Sequence, residues 1–135
     1  MNNKTDSNQT QLAAACILLS VADADEILED QELITIGEIL QEFFSIDESS
    51  VKSLMQHAQE EWKNSTSLFQ FGTQLNQYFS HDDKLDFISC VFEVAYADGK
   101  LHYLEHHAVK KIANILHLGK NELISAKAEI EKYLD

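Results

Sequence analysis

A nine-residue pattern, Ala-Asp-x-x-Leu-x-x-x-Glu, occurs twice in the sequence, over residues 24–32 and again over residues 97–105. The second copy lies 73 residues after the first, and each copy separates two apolar stretches with helical spacing. At this offset, residues 17–44 and 90–117 share seven identities, whereas average composition gives about two by chance in such a window. The chain is therefore predicted to contain a duplicated helical hairpin whose two halves pack with pseudo-twofold symmetry.

Apolar residues recur at helical spacing along seven segments of the chain, and no segment of useful length alternates as a strand does. The absence of proline and the presence of 4 glycines favour long helices joined by short loops. The pattern predicts an all-α fold of about seven helices, as a single domain over residues 11–135 after a disordered tail over residues 1–10. The predicted helices cover residues 11–24, a stretch ending near 44, 48–62, 68–79, a stretch opened by a cap at 80–83, 102–117 and 122–133. Gly119, in the segment 118–121, is predicted to terminate the helix over 102–117.

The charge balance limits the classes of ligand that the chain can bind. A net charge of -13 argues against binding a nucleic-acid backbone and favours cations or basic protein partners.

No apolar run approaches the roughly 18 residues that span a bilayer, and residues 1–10 lack the apolar core of a signal peptide. Cys16 and Cys90 fit no metal-binding or redox motif and are interpreted as buried apolar residues in a reducing compartment. We therefore expect a cytoplasmic protein with no nucleic-acid partner and no direct membrane insertion.

The repeated acidic residues can be explained by local structure alone. Glu32 and Glu105 each fall at the third position of a predicted helix, from which a glutamate can reach back to the free backbone N–H of the cap residue. Carboxylates at this end of a helix also interact favourably with its dipole. Asp25 and Asp98 would hold the preceding turn by accepting hydrogen bonds from backbone N–H groups. On this interpretation the acidic turns act only as helix caps.

The same turns also carry residue types that bind divalent cations. The first copy has six carboxylates within ten residues, a cluster of the oxygen ligands that Ca²⁺ and Mg²⁺ prefer, although their spacing is not that of an EF-hand. The second copy adds two histidines four residues apart on one helix face, which shifts the preference from Ca²⁺ toward Zn²⁺, Ni²⁺ or Cu²⁺. The candidate metal ligands are Asp23, Asp25, Glu29, Glu32, Asp98, His102, Glu105 and His106.

The segment Phe-Glu-Val-Ala-Tyr-Ala-Asp-Gly-Lys-Leu at residues 92–101, with residues 107–117, closely resembles the tellurite-resistance protein B (TerB)-like family. Residues 68–76 and 124–127 are similar to a stand-alone bacterial branch of that family, and the resemblance covers about residues 11–130. It implies an all-helical domain with a pseudo-symmetric acidic face. It also implies a role in the response to tellurite or other stress, with a divalent cation bound at the acidic turns.

The chain departs from the family pattern at both turns. His102 and His106 stand where the family usually has acidic residues, and Glu26 stands where glycine is frequent. The histidines argue against a Ca²⁺-type site in the second copy. Glu26 argues against the first turn having the backbone shape that glycine gives in the family.

Sequence motifs of catalysis are absent: there is no Gly-x-Ser-x-Gly, no phosphate-binding glycine loop and no His-Glu-x-x-His. We therefore expect a non-enzymatic, TerB-like, stress-associated protein whose acidic surface binds a divalent cation (Ca²⁺, Mg²⁺ or Zn²⁺) or a protein partner. Self-association as a homodimer is a further expectation. The alternative is a structural interaction module that binds no metal and uses its acidic turns only as helix caps.

Overall fold

The computed structural model describes residues 3–24, 30–64, 67–97 and 103–133. Within these ranges the chain forms seven α-helices and no strand, so the predicted all-α fold is confirmed. The helices are α1 (Asn3–Ala22), α2 (Asp30–Phe44), α3 (Glu48–Asn64), α4 (Phe69–Tyr78), α5 (His81–Ala95), α6 (Tyr103–Ile115) and α7 (Lys120–Glu131).

Helix α1 lies at the centre of the bundle and packs against α2, α3, α4, α5 and α6. Every residue from Ala13 to Ala22 is buried, and the hydroxyl of Ser20 donates a hydrogen bond to the Ile17 carbonyl at 2.6 Å. A helix that is apolar on all sides has to be enclosed by other elements. Helix α1 includes residues 3–10, which were predicted to belong to a disordered tail. That prediction was made because the polar residues there show no apolar periodicity. The domain boundary at residue 11 stays a prediction.

The duplication predicted from sequence reappears in the helix boundaries. Helices α1 and α5 end at Ala22 and Ala95, which keep the offset of 73 residues found in the sequence. The chain leaves α1 and α5 through equivalent backbone hydrogen bonds. These bonds are Asp23 N to Leu19 O (2.9 Å), Ala24 N to Val21 O (3.2 Å), Tyr96 N to Phe92 O (2.9 Å) and Ala97 N to Val94 O (3.1 Å). The two acidic turns therefore start with the same backbone geometry.

The repeat extends beyond the predicted hairpins to a third helix in each half. Helix α3 packs against α1 in the first half, and α7 packs against α5 in the second. Val51 and Ala58 are the buried residues of α3, and Ala126 is the buried residue of α7. Helix α4 joins the two halves and contacts α1 and α6. The fold is thus two three-helix units linked by one shorter helix.

Helices α2 and α6 end in the same way, with a residue in the left-handed conformation. Ser45 has φ 54° and His117 has φ 62°. The next residue donates a backbone hydrogen bond five residues back, from Ile46 to Gln41 and from Leu118 to Ala113, as in a Schellman motif. The sequence predicted that Gly119 terminates α6, which is wrong: Gly119 is extended and serves as the N-cap of α7.

Two further features fix the positions of α4 and α5. The predicted capping box of α5 is confirmed, because the Ser80 hydroxyl accepts from the Asp83 N–H and the Asp83 carboxylate accepts from the Ser80 N–H. Where α4 crosses α6, Gly72 brings the two backbones close together. A Cβ atom added at Gly72 would lie 2.0 Å from the Cγ2 atom of Ile115. The Asn76 side-chain amide donates to the Ile115 carbonyl at 3.0 Å in the same joint.

Candidate functional site

The first acidic turn is anchored to helix α3 through Asp23. The indole Nε1–H of Trp62 donates a hydrogen bond to Asp23 Oδ2 at 3.3 Å. Tyr96 is the residue equivalent to Asp23 in the second half. Burial raises the pKa of its phenol, and the adjacent Glu131 carboxylate of α7 raises it further through its charge and hydrogen bonding. In both halves the start of the acidic turn is thus tied to the C-terminal part of the third helix. For Asp23, one carboxylate oxygen already serves this structural contact.

Glu32 and Glu105 occupy equivalent buried positions at the start of α2 and α6. Both glutamates lie in the first turn of their helices as the structure describes them, and the predicted capping from the third helical position stays a prediction because residues 25–29 and 98–102 lie outside the described ranges. Their exposed fractions are 5% and 1%. A carboxylate is rarely buried this deeply without compensation, and the N-terminal end of the helix dipole supplies part of it. The pair is therefore a shared structural feature of the two turns.

Four of the predicted metal ligands, Asp25, Glu29, Asp98 and His102, lie outside the described residues. Of the other four, Asp23 is half-buried, Glu32 and Glu105 are buried, and His106 is half-buried. Within the described ranges no group of three or more His, Cys, Asp and Glu side chains is arranged to hold a metal ion. The described residues therefore include the two ends of each acidic turn, and they do not by themselves form a metal coordination sphere.

His106 lies in a different electrostatic environment from the first turn. Burial lowers the pKa of its imidazole, and the nearby charges of Lys127 and Lys110 lower it further. A lowered pKa leaves the ring neutral at pH 7, the form in which histidine binds metals. The same lysines repel a cation, so the described surroundings of the second turn are less favourable for hard cations than a cluster of carboxylates.

A second acidic feature, which was not predicted from the sequence, lies between α2 and α5. It is a groove of about 370 Å³, here called the α2–α5 groove. Its lining combines three side chains of low polarity with four carboxylates: Ile39, Phe43, Cys90, Glu42, Asp83, Asp86 and Glu93. The helical spacing of its members on each helix was visible in the sequence, but nothing in one helix indicates which face of another lies beside it.

The carboxylates of the α2–α5 groove act on one another. Burial raises the pKa of Glu93, and the neighbouring charge of Glu42 raises it further. Burial likewise raises the pKa of the Cys90 thiol to about 12, with added contributions from Glu93, Asp86 and Glu42. These shifts have the direction expected of a partly desolvated negative field. The groove therefore favours positive charge.

Neither cysteine has the electrostatic environment of a nucleophile. Cys16 is fully buried, its thiol lies 3.7 Å from the Ala58 carbonyl, and burial raises its pKa to about 12. Since the thiolate is the reactive form, both thiols are protonated at neutral pH. The prediction of a buried residue holds for Cys16, whereas Cys90 is half-buried at the α2–α5 groove.

None of the helices in the described part of the chain combines the length and apolar character of a bilayer-spanning segment.

A family model described as tellurite resistance protein TerB matches residues 11–128. Searches of curated proteins and of solved structures find no match to the chain.

Proposed function

Because the chain belongs to the tellurite-resistance TerB family, we propose that it is a non-enzymatic cytoplasmic module that binds divalent cations at its two acidic turns as part of a stress response. The observation that carries this proposal is the equivalence of the turns. Both begin with the same backbone hydrogen bonds, and both lead into a helix whose first described turn holds a buried glutamate. A duplicated arrangement of this kind is consistent with a pair of related sites.

The two sites would differ in their preferred ion. The first turn offers carboxylates at Asp23, Asp25, Glu29 and Glu32, oxygen donors that suit Ca²⁺ or Mg²⁺. The second turn combines Asp98 and Glu105 with the imidazoles of His102 and His106, donors that suit Zn²⁺ better. With Lys127 and Lys110 near His106, we expect the first turn to bind hard cations more tightly.

Calorimetric titration of the full chain with Ca²⁺, Mg²⁺ and Zn²⁺ tests the proposal directly. An ion present at about a hundredfold its dissociation constant stabilises the folded state by about 2.7 kcal/mol, so thermal unfolding provides a second readout. Asp25→Asn should remove the Ca²⁺ or Mg²⁺ response and Asp98→Asn the Zn²⁺ response. Glu38→Gln, an exposed position on α2, is the control with the same loss of charge. No heat and no stabilisation at millimolar ion would refute cation binding.

The alternative is that the acidic turns are only helix caps in a structural interaction module. The predicted position of Glu32 and Glu105, three residues after a cap, favours it, because that position suits a capping interaction. In this case Asp25→Asn and Asp98→Asn lower stability equally with or without added ions. If they instead abolish an ion response while the ion-free protein keeps its stability, the turns are binding sites.

A further inference from the structure

The α2–α5 groove has the form of a docking site, separate from both acidic turns. Its described lining comes from two facing helices, α2 and α5, which pack against each other. We propose that this groove binds a basic amphipathic helix of a partner protein, with apolar side chains on its floor and lysine or arginine side chains on its acidic rim. The groove uses no residue of the turns, so this proposal does not depend on cation binding there.

The floor of the groove is held rigidly by aromatic packing. Phe43 contacts Phe44, Phe79 and Phe87, with ring centroids 5.1 to 5.8 Å apart in edge or tilted arrangements, distances at which aromatic pairs attract one another. Ile39 is almost fully buried beside it, and Cys90 completes the surface from α5. A preformed floor lowers the entropic cost of binding, since little of the groove has to be ordered when a partner arrives.

The rim of the groove has a spacing that a helix can match. Asp83, Asp86 and Glu93 lie three and seven residues apart along α5, so they follow one side of that helix over about 15 Å. Glu42 faces them from α2. A partner helix with cationic residues at spacings of three, four and seven would meet this row, and its neighbouring apolar positions would face the floor.

The charges of the rim are not neutralised by the part of the chain that the structure describes. Among the described residues, ion pairs join His81 to Glu122 and Lys132 to Glu129, which lie outside the groove lining. No described lysine pairs with Glu42, Asp86 or Glu93. Asp83 is partly occupied by its capping interaction with Ser80. A cationic partner would relieve the repulsion between Glu42 and Glu93, which gives the groove a charge-based preference for its occupant.

Other occupants fit the groove less well. The described side chains do not approach one another as metal ligands do, and the apolar floor would add nothing to the binding of a bare ion. A nucleic acid would be repelled by the carboxylates. A second copy of the chain would bring its own net charge of -13 against the first. A basic protein helix satisfies both the floor and the rim.

The test uses the full chain and a designed, fluorescein-labelled helical peptide of about 14 residues, on the order of 20 Å long. The peptide carries lysines along one side and leucines beside them, and a shuffled peptide of the same composition is the reference. The groove variant combines Glu42→Gln, Asp86→Asn and Glu93→Gln. The matched control variant removes the same charge from exposed positions on α3, by Glu48→Gln, Glu60→Gln and Glu61→Gln.

Fluorescence anisotropy should show that the parent binds the amphipathic peptide more tightly than the shuffled one. The groove variant should bind it about tenfold more weakly, since several exposed ion pairs are lost together, while the control variant stays within about twofold of the parent. In amide NMR spectra, the peptide should shift the signals of Ile39, Phe43 and Cys90. Equal weakening in both variants, or shifts confined to other helices, would overturn the proposal. Self-association of the parent that the groove variant abolishes would assign the groove to a second copy and also overturn it.

Discussion

Replacement of Gly72 by alanine tests how closely α4 and α6 approach each other. The added Cβ would lie 2.0 Å from Ile115 Cγ2 and 3.4 Å from Ile115 Cβ. Non-bonded carbon atoms prefer about 3.5–4.0 Å, so the first contact is too short by about 1.5 Å or more. The β-branched Ile115 side chain has little rotamer freedom within α6 to avoid the clash. The two helices therefore have to move apart, or Ile115 has to leave its rotamer.

The expected loss in the free energy of unfolding is about 2 kcal/mol. Overpacking of this kind costs about 1–3 kcal/mol, and the severity of the contact places Gly72→Ala at the upper end. Alanine is the better helix former by about 1 kcal/mol, which offsets part of the cost inside α4. With an unfolding entropy of about 2.1 cal/mol/K per residue over the whole chain, the melting temperature should fall by about 7 °C.

Gly37 provides a matched control for this substitution. It also lies inside a helix, but its added Cβ would meet Val51 Cγ1 at 3.6 Å, an ordinary contact. Gly37→Ala should therefore stabilise the protein by about 0.5–1 kcal/mol through helix propensity and unfolded-state entropy. Urea unfolding of both variants provides the comparison. If Gly72→Ala is as stabilising as Gly37→Ala, the inferred close approach is wrong.

A double-mutant cycle isolates the contact itself. Ile115→Ala removes Cγ2 and should destabilise the protein on its own, because a half-buried apolar side chain is truncated. In the combined variant the clash should disappear and the helix-propensity gain of about 1 kcal/mol should remain, which gives a favourable coupling of about 3 kcal/mol. Additive losses would show that the clash with Ile115 is not the cause.

Three further predictions concern α5 and the thiols. Ser80→Ala should lower the free energy of unfolding by about 1 kcal/mol by removing the α5 cap, whereas an unchanged urea midpoint would contradict the capping box. Glu42→Gln should lower the pKa of Glu93, measured by carboxyl NMR titration, because its charge helps to raise that pKa. A raised carboxyl pKa makes the folded state bind its proton more tightly, so the variant should be more stable than the parent near pH 7, and this gain should vanish as the pH falls below the unfolded-state pKa. An unchanged Glu93 titration would refute the interaction. Cys16 and Cys90, with pKa values of about 12 against an ordinary 9.0, should carry about a thousandfold less thiolate than an ordinary cysteine at pH 8. Rapid reaction of the native protein with a disulfide reagent would contradict the inferred burial of the two thiols.

Much of the fold was predictable because helix periodicity is a local property. The seven helices and the capping box at Ser80 depend on spacings of three or four residues. The end of α6 was not predictable in the same way. A left-handed residue is usually glycine, and here Schellman-type bonding accompanies His117 in that conformation, two residues before Gly119.

The arrangement of the helices was less accessible from the sequence. Apolar residues at helical spacing predicted α1 as a helix, but burial extends around it to residues such as Ala13, Ala14 and Leu18. Five helices surround it, and spacing within α1 does not state how many neighbours it has. The α2–α5 groove was missed for the same reason. Glu42 and Glu93 look like solvent-facing charges on separate helices until the bundle places those helices side by side.

The enclosed first helix has a consequence for how the chain is synthesised. Helix α1 leaves the ribosome before α5 and α6, yet both of these helices form part of its enclosure. Until these helices are made, part of the apolar surface between Ala13 and Ala22 stays exposed to solvent. Exposed apolar surfaces promote aggregation of nascent chains. Fragments that end before α5 should therefore be recovered as aggregates or in complex with chaperones. The two halves, although related by duplication, depend on each other to reach the folded state.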